Sequence, residues 1–256
     1  MSSPQQPILE LRGVSKAFGA VQAVSKVSWQ VFPGEIAALV GDNGAGKSTM
    51  IKLITGALVR DEGDIFVKGQ PVHIADPVDA FRCGIAAVYQ DLALVENRNV
   101  IMNMYLGNEL THGPFNVFLD HKRMAREAQR TLDDMHSRIP SAQTVVRKLS
   151  GGQRQAVAVG RALLRGGEII IMDEPTAALG VEQTKEVLEL MQTLRQRGKT
   201  VILISHNLQQ VFDIADQVSV MFHGELAGTR RVQGSTREEI VSMIVGFKTD
   251  DALAVA

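Results

Sequence analysis

The residues best suited to chemistry fall in three short segments. In the first, Gly41-Asp42-Asn43-Gly44-Ala45-Gly46-Lys47-Ser48 fits G-x-x-x-x-G-K-[ST]. It lies between an apolar run at 36–40 and a helical stretch from 47 to about 56. Its glycines let backbone N–H groups turn inward around phosphate oxygens with no Cβ in the way. The helix that follows presents its positive end to the same anion. Lys47 can reach the β- and γ-phosphates as a point charge, and Ser48 can place its hydroxyl on Mg²⁺. Gly198-Lys199-Thr200 repeats the last three letters, but Thr193 stands where the first glycine belongs and the segment runs into a strand. The chain therefore offers one phosphate loop.

The second segment is Asp173-Glu174-Pro175, at the end of the apolar run Ile169-Ile170-Ile171-Met172. Acids at the C-terminal end of a buried strand lie where open α/β sheets bind ligands. Asp173 suits a direct or water-mediated Mg²⁺ contact beside Ser48. Glu174 can then polarise an attacking water as general base. Pro175 stops the strand.

The third segment is Leu149-Ser150-Gly151-Gly152-Gln153. Ser150 reads as a helix N-cap, and Gln153 completes a capping box. The cap does not explain two glycines in the first helical positions, where they cost stability. Close backbone approach to an anion at the positive helix end would explain them. The two phosphate-type sites are about a hundred residues apart, and either converge in one molecule or meet across a dimer.

These segments need a frame to hold them. Residues 8–11 and 26–31 alternate as half-buried strands do, Pro33-Gly34 marks a turn, and 36–40 reads as a strand buried on both faces. Residues 61–63 turn into a further strand at 64–67. The stretch from about 91 to 148 changes character, with helix-like pieces, a charged helix near 120–135 and a loop at Gly113-Pro114. From 150 the strand–helix rhythm returns: a helix to about 164, strand 168–172, helix 181–195, strand 200–204, helix 207–215 and strand 218–222. That alternation predicts a parallel sheet with helices on both faces. From 235 one short helix and a frayed end are expected.

The balance of 27 Lys+Arg against 28 Asp+Glu gives a net charge of −1, which excludes a uniformly basic nucleic-acid binder. The 45% apolar content excludes disorder over most of the length. The single Cys83 cannot form an internal disulfide, so the fold needs no oxidising compartment. MSSPQQP has no charged and apolar leader pattern, and the apolar runs fall short of the roughly 20 residues of a membrane helix. A soluble chain with at most a peripheral membrane role is expected.

Leu149-Ser150-Gly151-Gly152-Gln153, with the phosphate loop and Met172-Asp173-Glu174-Pro175-Thr176, resembles the ATP-binding subunits of ABC transporters over nearly the whole chain. The resemblance implies an α/β fold: a P-loop NTPase (RecA-like) core with a parallel sheet, an N-terminal antiparallel β subdomain and an inserted α-helical subdomain. A single ATPase domain is expected over 5–246, with core segments at about 5–90 and 155–246, the helical subdomain at about 91–154, and a tail at 247–256. The implied activity is ATP hydrolysis coupled to transport, with ATP and Mg²⁺ as ligands. Two such domains dimerise head to tail in this family, so that Ser150, Gly151, Gly152 and Gln153 of one subunit meet the γ-phosphate held by Gly41 to Thr49 of the other.

Phe18, in Lys16-Ala17-Phe18-Gly19, falls where the family stacks an aromatic ring on adenine. Gln90, in Val88-Tyr89-Gln90, matches the residue that joins core to helical insertion and senses Mg²⁺ and the attacking water. His206, about thirty residues after Glu174, matches the γ-phosphate switch histidine. One departure is Gly180, in Ala177-Ala178-Leu179-Gly180, where the family usually has Asp.

Four stretches are similar to the bacterial ribose-, xylose- and fructose-type importers: 41–46, Val88-Tyr89-Gln90-Asp91-Leu92-Ala93-Leu94, Met104-Tyr105-Leu106-Gly107-Asn108-Glu109, and Pro175 to Val181. They imply a monosaccharide importer subunit that works as a homodimer at the cytoplasmic face of the inner membrane. Its implied partners are two integral-membrane permeases and, indirectly, an extracytoplasmic solute-binding protein, with no nucleic acid. An importer ATPase for another small solute, or a non-transport relative such as a cluster-assembly ATPase, is the alternative.

Overall fold

The computed structural model describes residues 6–112, 115 and 117–247. The Gly113-Pro114 loop, the start of the expected domain at residue 5, and the tail beyond 247 lie outside the described residues. In chain order the elements are β1 Leu9–Phe18, β2 Val21–Val31, β3 Ile36–Gly41, α1 Lys47–Ile54, β4 Glu62–Val67, β5 Gln70–Val72, α2 Pro77–Arg82, β6 Ile85–Val88, α3 Val100–Tyr105, β7 Thr111–His112, β8 Phe118–Leu119 and α4 His121–Asp134. There follow α5 Gly151–Leu164, β9 Ile169–Asp173, α6 Val181–Gln196, β10 Thr200–Ile204, α7 Leu208–Ile214, β11 Gln217–Phe222, β12 Glu225–Arg231 and α8 Arg237–Ile244.

The central sheet has the order β12-β11-β3-β10-β9-β6. β11, β3, β10, β9 and β6 run parallel, whereas β12 returns antiparallel to β11 as an edge hairpin. Sequence rhythm finds the parallel strands with apolar runs. It misses β12, whose half-exposed Glu225–Arg231 carries no comparable run, and the short β6.

Alternation along β3 divides the core in two. Ile36, Ala38 and Val40 belong to one apolar cluster with residues of α5–α8 and, further out, Met124, Ala128 and Leu132 of α4. Ala37 and Leu39 pack with α1 and the antiparallel sheet β2-β1-β4-β5. β10 splits the same way, Val201 and Leu203 against Ile202 and Ile204. Both faces of these strands are buried, which is why they are continuously apolar. Each fully buried Ile, Leu or Val contributes about 1.5–3 kcal/mol of transfer free energy. The antiparallel sheet is also fastened by polar contacts: buried Trp29 Nε1 donates to Ser219 Oγ at 2.7 Å, and Gln217 Nε2 donates to Gln30 O at 3.0 Å.

The segment from 91 to 150 contains α3, α4 and the β7–β8 pair, so it is not wholly helical. α4 buries Met124, Ala128 and Leu132, a stripe at four-residue spacing, under an otherwise charged surface. The expected boundary at 154/155 falls inside α5, which is continuous across it. Residues of α3 and α4 belong to the same apolar cluster as the sheet.

Candidate active site

Every candidate catalytic group follows the C-terminal end of a parallel strand. Gln90 comes after β6, Asp173-Glu174 ends β9, His206 comes after β10, and the phosphate loop comes after β3. This is the edge at which open α/β sheets bind ligands.

The loop's shape depends on two of its glycines. Gly41 has φ 148°, and a Cβ there would lie 2.3 Å from Met221 O; Gly46 has φ 103°, and a Cβ would lie 2.5 Å from Ala23 O. No side chain caps α1 at Gly46, so its first N–H groups face the loop. Lys47 is buried, and its ammonium donates to Gly41 O at 2.8 Å and Asp42 O at 2.9 Å. Burial lowers the Lys47 pKa, against the opposing pull of Glu174, Asp42 and Asp173. Ser48 is exposed beside it. Asn43 to Thr49 line a cavity of about 360 Å³ together with Val21, Gln22, Ala23, His223 and Gly224.

The register of β9 and β10 brings the carboxylates and the histidine together. Asp173 pairs with Ile204, and Glu174 N donates to Ile204 O at 3.0 Å. Just past these strand ends, His206 Nδ1 lies 2.9 Å from Glu174 Oε2. Glu174 has the left-handed φ of 48°, which turns the chain sharply out of the strand. Burial raises the Asp173 pKa, and the neighbouring Glu174 adds to the rise. Gln90 and Glu174 line a second cavity, of about 410 Å³, with Gly151, Gln155 and Leu179.

Ser150 and Gln153 form the expected capping box: Gln153 N donates to Ser150 Oγ at 3.2 Å, and Ser150 N donates to Gln153 Oε1 at 2.9 Å. Gln153 Nε2 also donates to Arg138 O at 2.9 Å, so this side chain shapes its own segment. The paired glycines have a cause that the sequence does not reveal. A Cβ at Gly151 would fall 2.3 Å from Leu179 Cδ2, and one at Gly152 would fall 2.5 Å from Glu186 Oε2. Both nearest atoms are ends of flexible side chains, but at Gly152 the Gln183 carbonyl would also lie 3.2 Å away, so α6 packs tightly against this end of α5. The segment 150–153 contributes no residue to the phosphate-loop cavity.

Phe18 is 48% exposed at the tip of β1, with Lys16 Nζ 5.8 Å from its ring centroid, so it is not a core aromatic. Two groups escape sequence reasoning. Gln155, 5% exposed, donates from Nε2 to Pro175 O at 3.0 Å beside Glu174. Arg161 donates to Leu92 O at 2.7 Å and Ala93 O at 3.0 Å, pinning the segment after Gln90 to α5. Neither belongs to a chemical motif; each is an ordinary polar residue in a helix pattern.

No cluster of three or more His, Cys, Asp or Glu side chains that could hold a metal occurs among the described residues. Ser48, Gln90 and Asp173 offer hard oxygen donors and a single carboxylate. Such a set suits Mg²⁺, which is held by one or two carboxylates plus substrate phosphates rather than by an all-protein cage.

A phosphate loop beside a strand-end acid pair, in this sheet order, defines a P-loop nucleotide-binding fold. Residues 24–177 match the family model described as ABC transporter, and the chain belongs to that family. The chain is 42% identical over 240 residues to the xylose/arabinose import ATP-binding protein of Sulfolobus acidocaldarius, covering 94% of each. It is 41% identical to the fructose import ATP-binding protein of Rhizobium meliloti, covering 98% of this chain and 99% of that one. With a ribose import ATP-binding protein of Escherichia coli O157:H7 it shares 40% identity, over 96% of this chain but 48% of the relative. A solved ATP-binding cassette of an ABC transporter, in its ADP conformation, superposes with a TM-score of 0.80 at 26% identity, covering 98% and 99% of the two chains.

Proposed function

We propose that this chain is the ATP-binding subunit of a sugar importer, hydrolysing ATP at a head-to-tail dimer interface to drive uptake through partner permeases. The observation that carries the hydrolytic part is the Glu174–His206 pair on adjacent strand ends, in the sheet that also positions the phosphate loop. The sugar class, most simply a monosaccharide, is supported by near full-length similarity to the xylose/arabinose and fructose import proteins.

The phosphates lie against the loop backbone and the N-terminus of α1, with Lys47 as their mobile cation. Phe18 offers an exposed ring for the base. Ser48, Asp173 and Gln90 would hold Mg²⁺, which when bound neutralises phosphate charge. Glu174 accepts the proton of the attacking water. His206 holds the Glu174 carboxylate in place and faces the γ-phosphate. Ser150, Gly151 and Gly152 of one subunit close over the nucleotide in the phosphate loop of the other, and Gln153 keeps that segment in shape. ATP favours the closed dimer because its contacts to both subunits exist only there.

No described helix is long and apolar enough to cross a membrane. Likeness to import ATP-binding proteins supports attachment to permeases at the cytoplasmic face of the inner membrane, with an extracytoplasmic binding protein as indirect partner. Two apolar-lined cavities of about 440 and 380 Å³ share Pro77 and Phe81, and Gly107 and Asn108 of the 91–150 segment help line the larger. They offer the permeases a seat, and the larger one would feel any shift of Gly107 and Asn108 against Pro77 and Phe81.

The test is to trap the Glu174→Gln protein with ATP and Mg²⁺ in native membranes and identify what co-purifies. A polytopic permease with an associated sugar-binding protein is the expected result. Ribosomal, repair or cluster-assembly partners with no permease would overturn the transport reading.

A further inference from the structure

The phosphate loop, His206, Glu174 and Gln90 follow β3, β10, β9 and β6. The remaining parallel strand, β11, lies on the other flank of β3, with Met221 paired to Gly41. It delivers His223, an exposed residue held at a left-handed φ of 45°. The turn that carries it is welded to the phosphate loop: Gly224 N donates to Ala45 O at 3.0 Å, and Ser25 N donates to Gly224 O at 2.8 Å. Backbones approach so closely here that a Cβ at Gly46 would lie 3.4 Å from Gly224 Cα. The His223 ring meets Phe222 edge-on, with centroids 4.2 Å apart.

His223 thus lines the 360 Å³ cavity together with Val21, Gln22 and Ala23, and a Cβ at the adjoining Gly224 would lie 3.1 Å from both Gln22 O and Ala23 O. Phe18 pairs with Val21 across the β1–β2 hairpin. A nucleotide with its phosphates on the loop and its base at Phe18 must carry its sugar and α-phosphate along this cavity. We propose that His223 is a nucleotide-binding residue, its imidazole hydrogen-bonding the sugar–α-phosphate segment. This rests on the nucleotide reading given above and extends it to a residue outside the phosphate loop and the acid pair.

The experiment is calorimetric titration of ATP and ADP into the full-length chain and its His223→Gly, His223→Asn and Lys47→Ala variants. Glycine and asparagine both suit the left-handed backbone, so the turn is retained; unchanged melting curves check this. His223→Gly is expected to weaken ATP and ADP by the same factor, about tenfold for one lost hydrogen bond to a charged or polar group. His223→Asn, which keeps a donor, recovers part of the loss. Unchanged affinities in both His223 variants, with Lys47→Ala weakened, would overturn the assignment and leave the nucleotide site standing. A loss for ATP alone would also overturn it, since the ring would then face the γ-phosphate. Unchanged binding in Lys47→Ala would instead sink the nucleotide reading itself.

Discussion

His206 Nδ1 lies 2.9 Å from Glu174 Oε2, although the two residues are separated by a complete helix and strand. The contact follows from register, because Asp173 and Ile204 are paired and each chain turns out of the sheet just beyond them. A carboxylate held by a ring nitrogen points one way, as a general base must.

Glu174→Gln keeps the size and hydrogen-bonding reach of the side chain but cannot take a proton. ATP binding should persist, while turnover falls by about 10²- to 10⁴-fold. Phosphate release under saturating ATP measures this, and normal turnover would remove Glu174 as the base. His206→Ala should lower turnover at least about tenfold, or 1.4 kcal/mol, with a smaller change in ADP affinity.

Lys47→Ala removes a cation that also closes the loop through Gly41 O and Asp42 O. A charged hydrogen bond is worth about 1.5–3 kcal/mol, so nucleotide affinity should drop roughly 10- to 100-fold. Titration with ADP reads the change without hydrolysis.

Gly41→Ala should destabilise the fold as well as the site, since its Cβ would meet the Met221 carbonyl at 2.3 Å. A cost of about 2–3 kcal/mol corresponds to a Tm lower by roughly 4–12 °C for a domain of this size. A thermal melt within a degree of the parent would show that the loop relaxes freely.

Gly180→Asp places the family's usual residue in open space, with no atom within 4 Å of the new Cβ. Gly180 is the N-cap of α6 and makes no side-chain capping bond. The variant should gain a few tenths of a kcal/mol, seen as a Tm raised by about a degree. A clear fall in Tm would contradict the open-space geometry.

Much of the site was legible because its chemistry is local in sequence. The phosphate loop, the strand-end acids and the capping box each need particular residues a few positions apart, and the register of apolar strands then assembles them. What stayed hidden depends on contacts between distant segments. Gly151 and Gly152 read as an anion site, yet Leu179, just before α6, and Glu186 of α6 also lie close against them. Gln155, Arg161 and His223 acquire partners or a cavity only once strands and helices are stacked. β12 escaped because an edge strand buries one face at most and carries no apolar run. The helical boundary blurred because α5 begins with the 150–153 segment and runs unbroken to Leu164, where the turn at Gly166-Gly167 leads into β9, so no composition shift marks the passage.

In the proposed head-to-tail dimer the phosphate loop of one subunit meets the 150–153 segment of the other, and mixing two disabled chains tests this most directly. Lys47→Ala lacks a working phosphate loop and Ser150→Arg lacks a working 150–153 segment, so each alone should hydrolyse ATP poorly. In a mixed head-to-tail dimer one composite site regains both intact halves. Combining the two purified variants should therefore restore a substantial part of the parent's ATP turnover. Turnover that stays at the sum of the separate variants, in samples shown to form mixed dimers, would contradict the shared-site account.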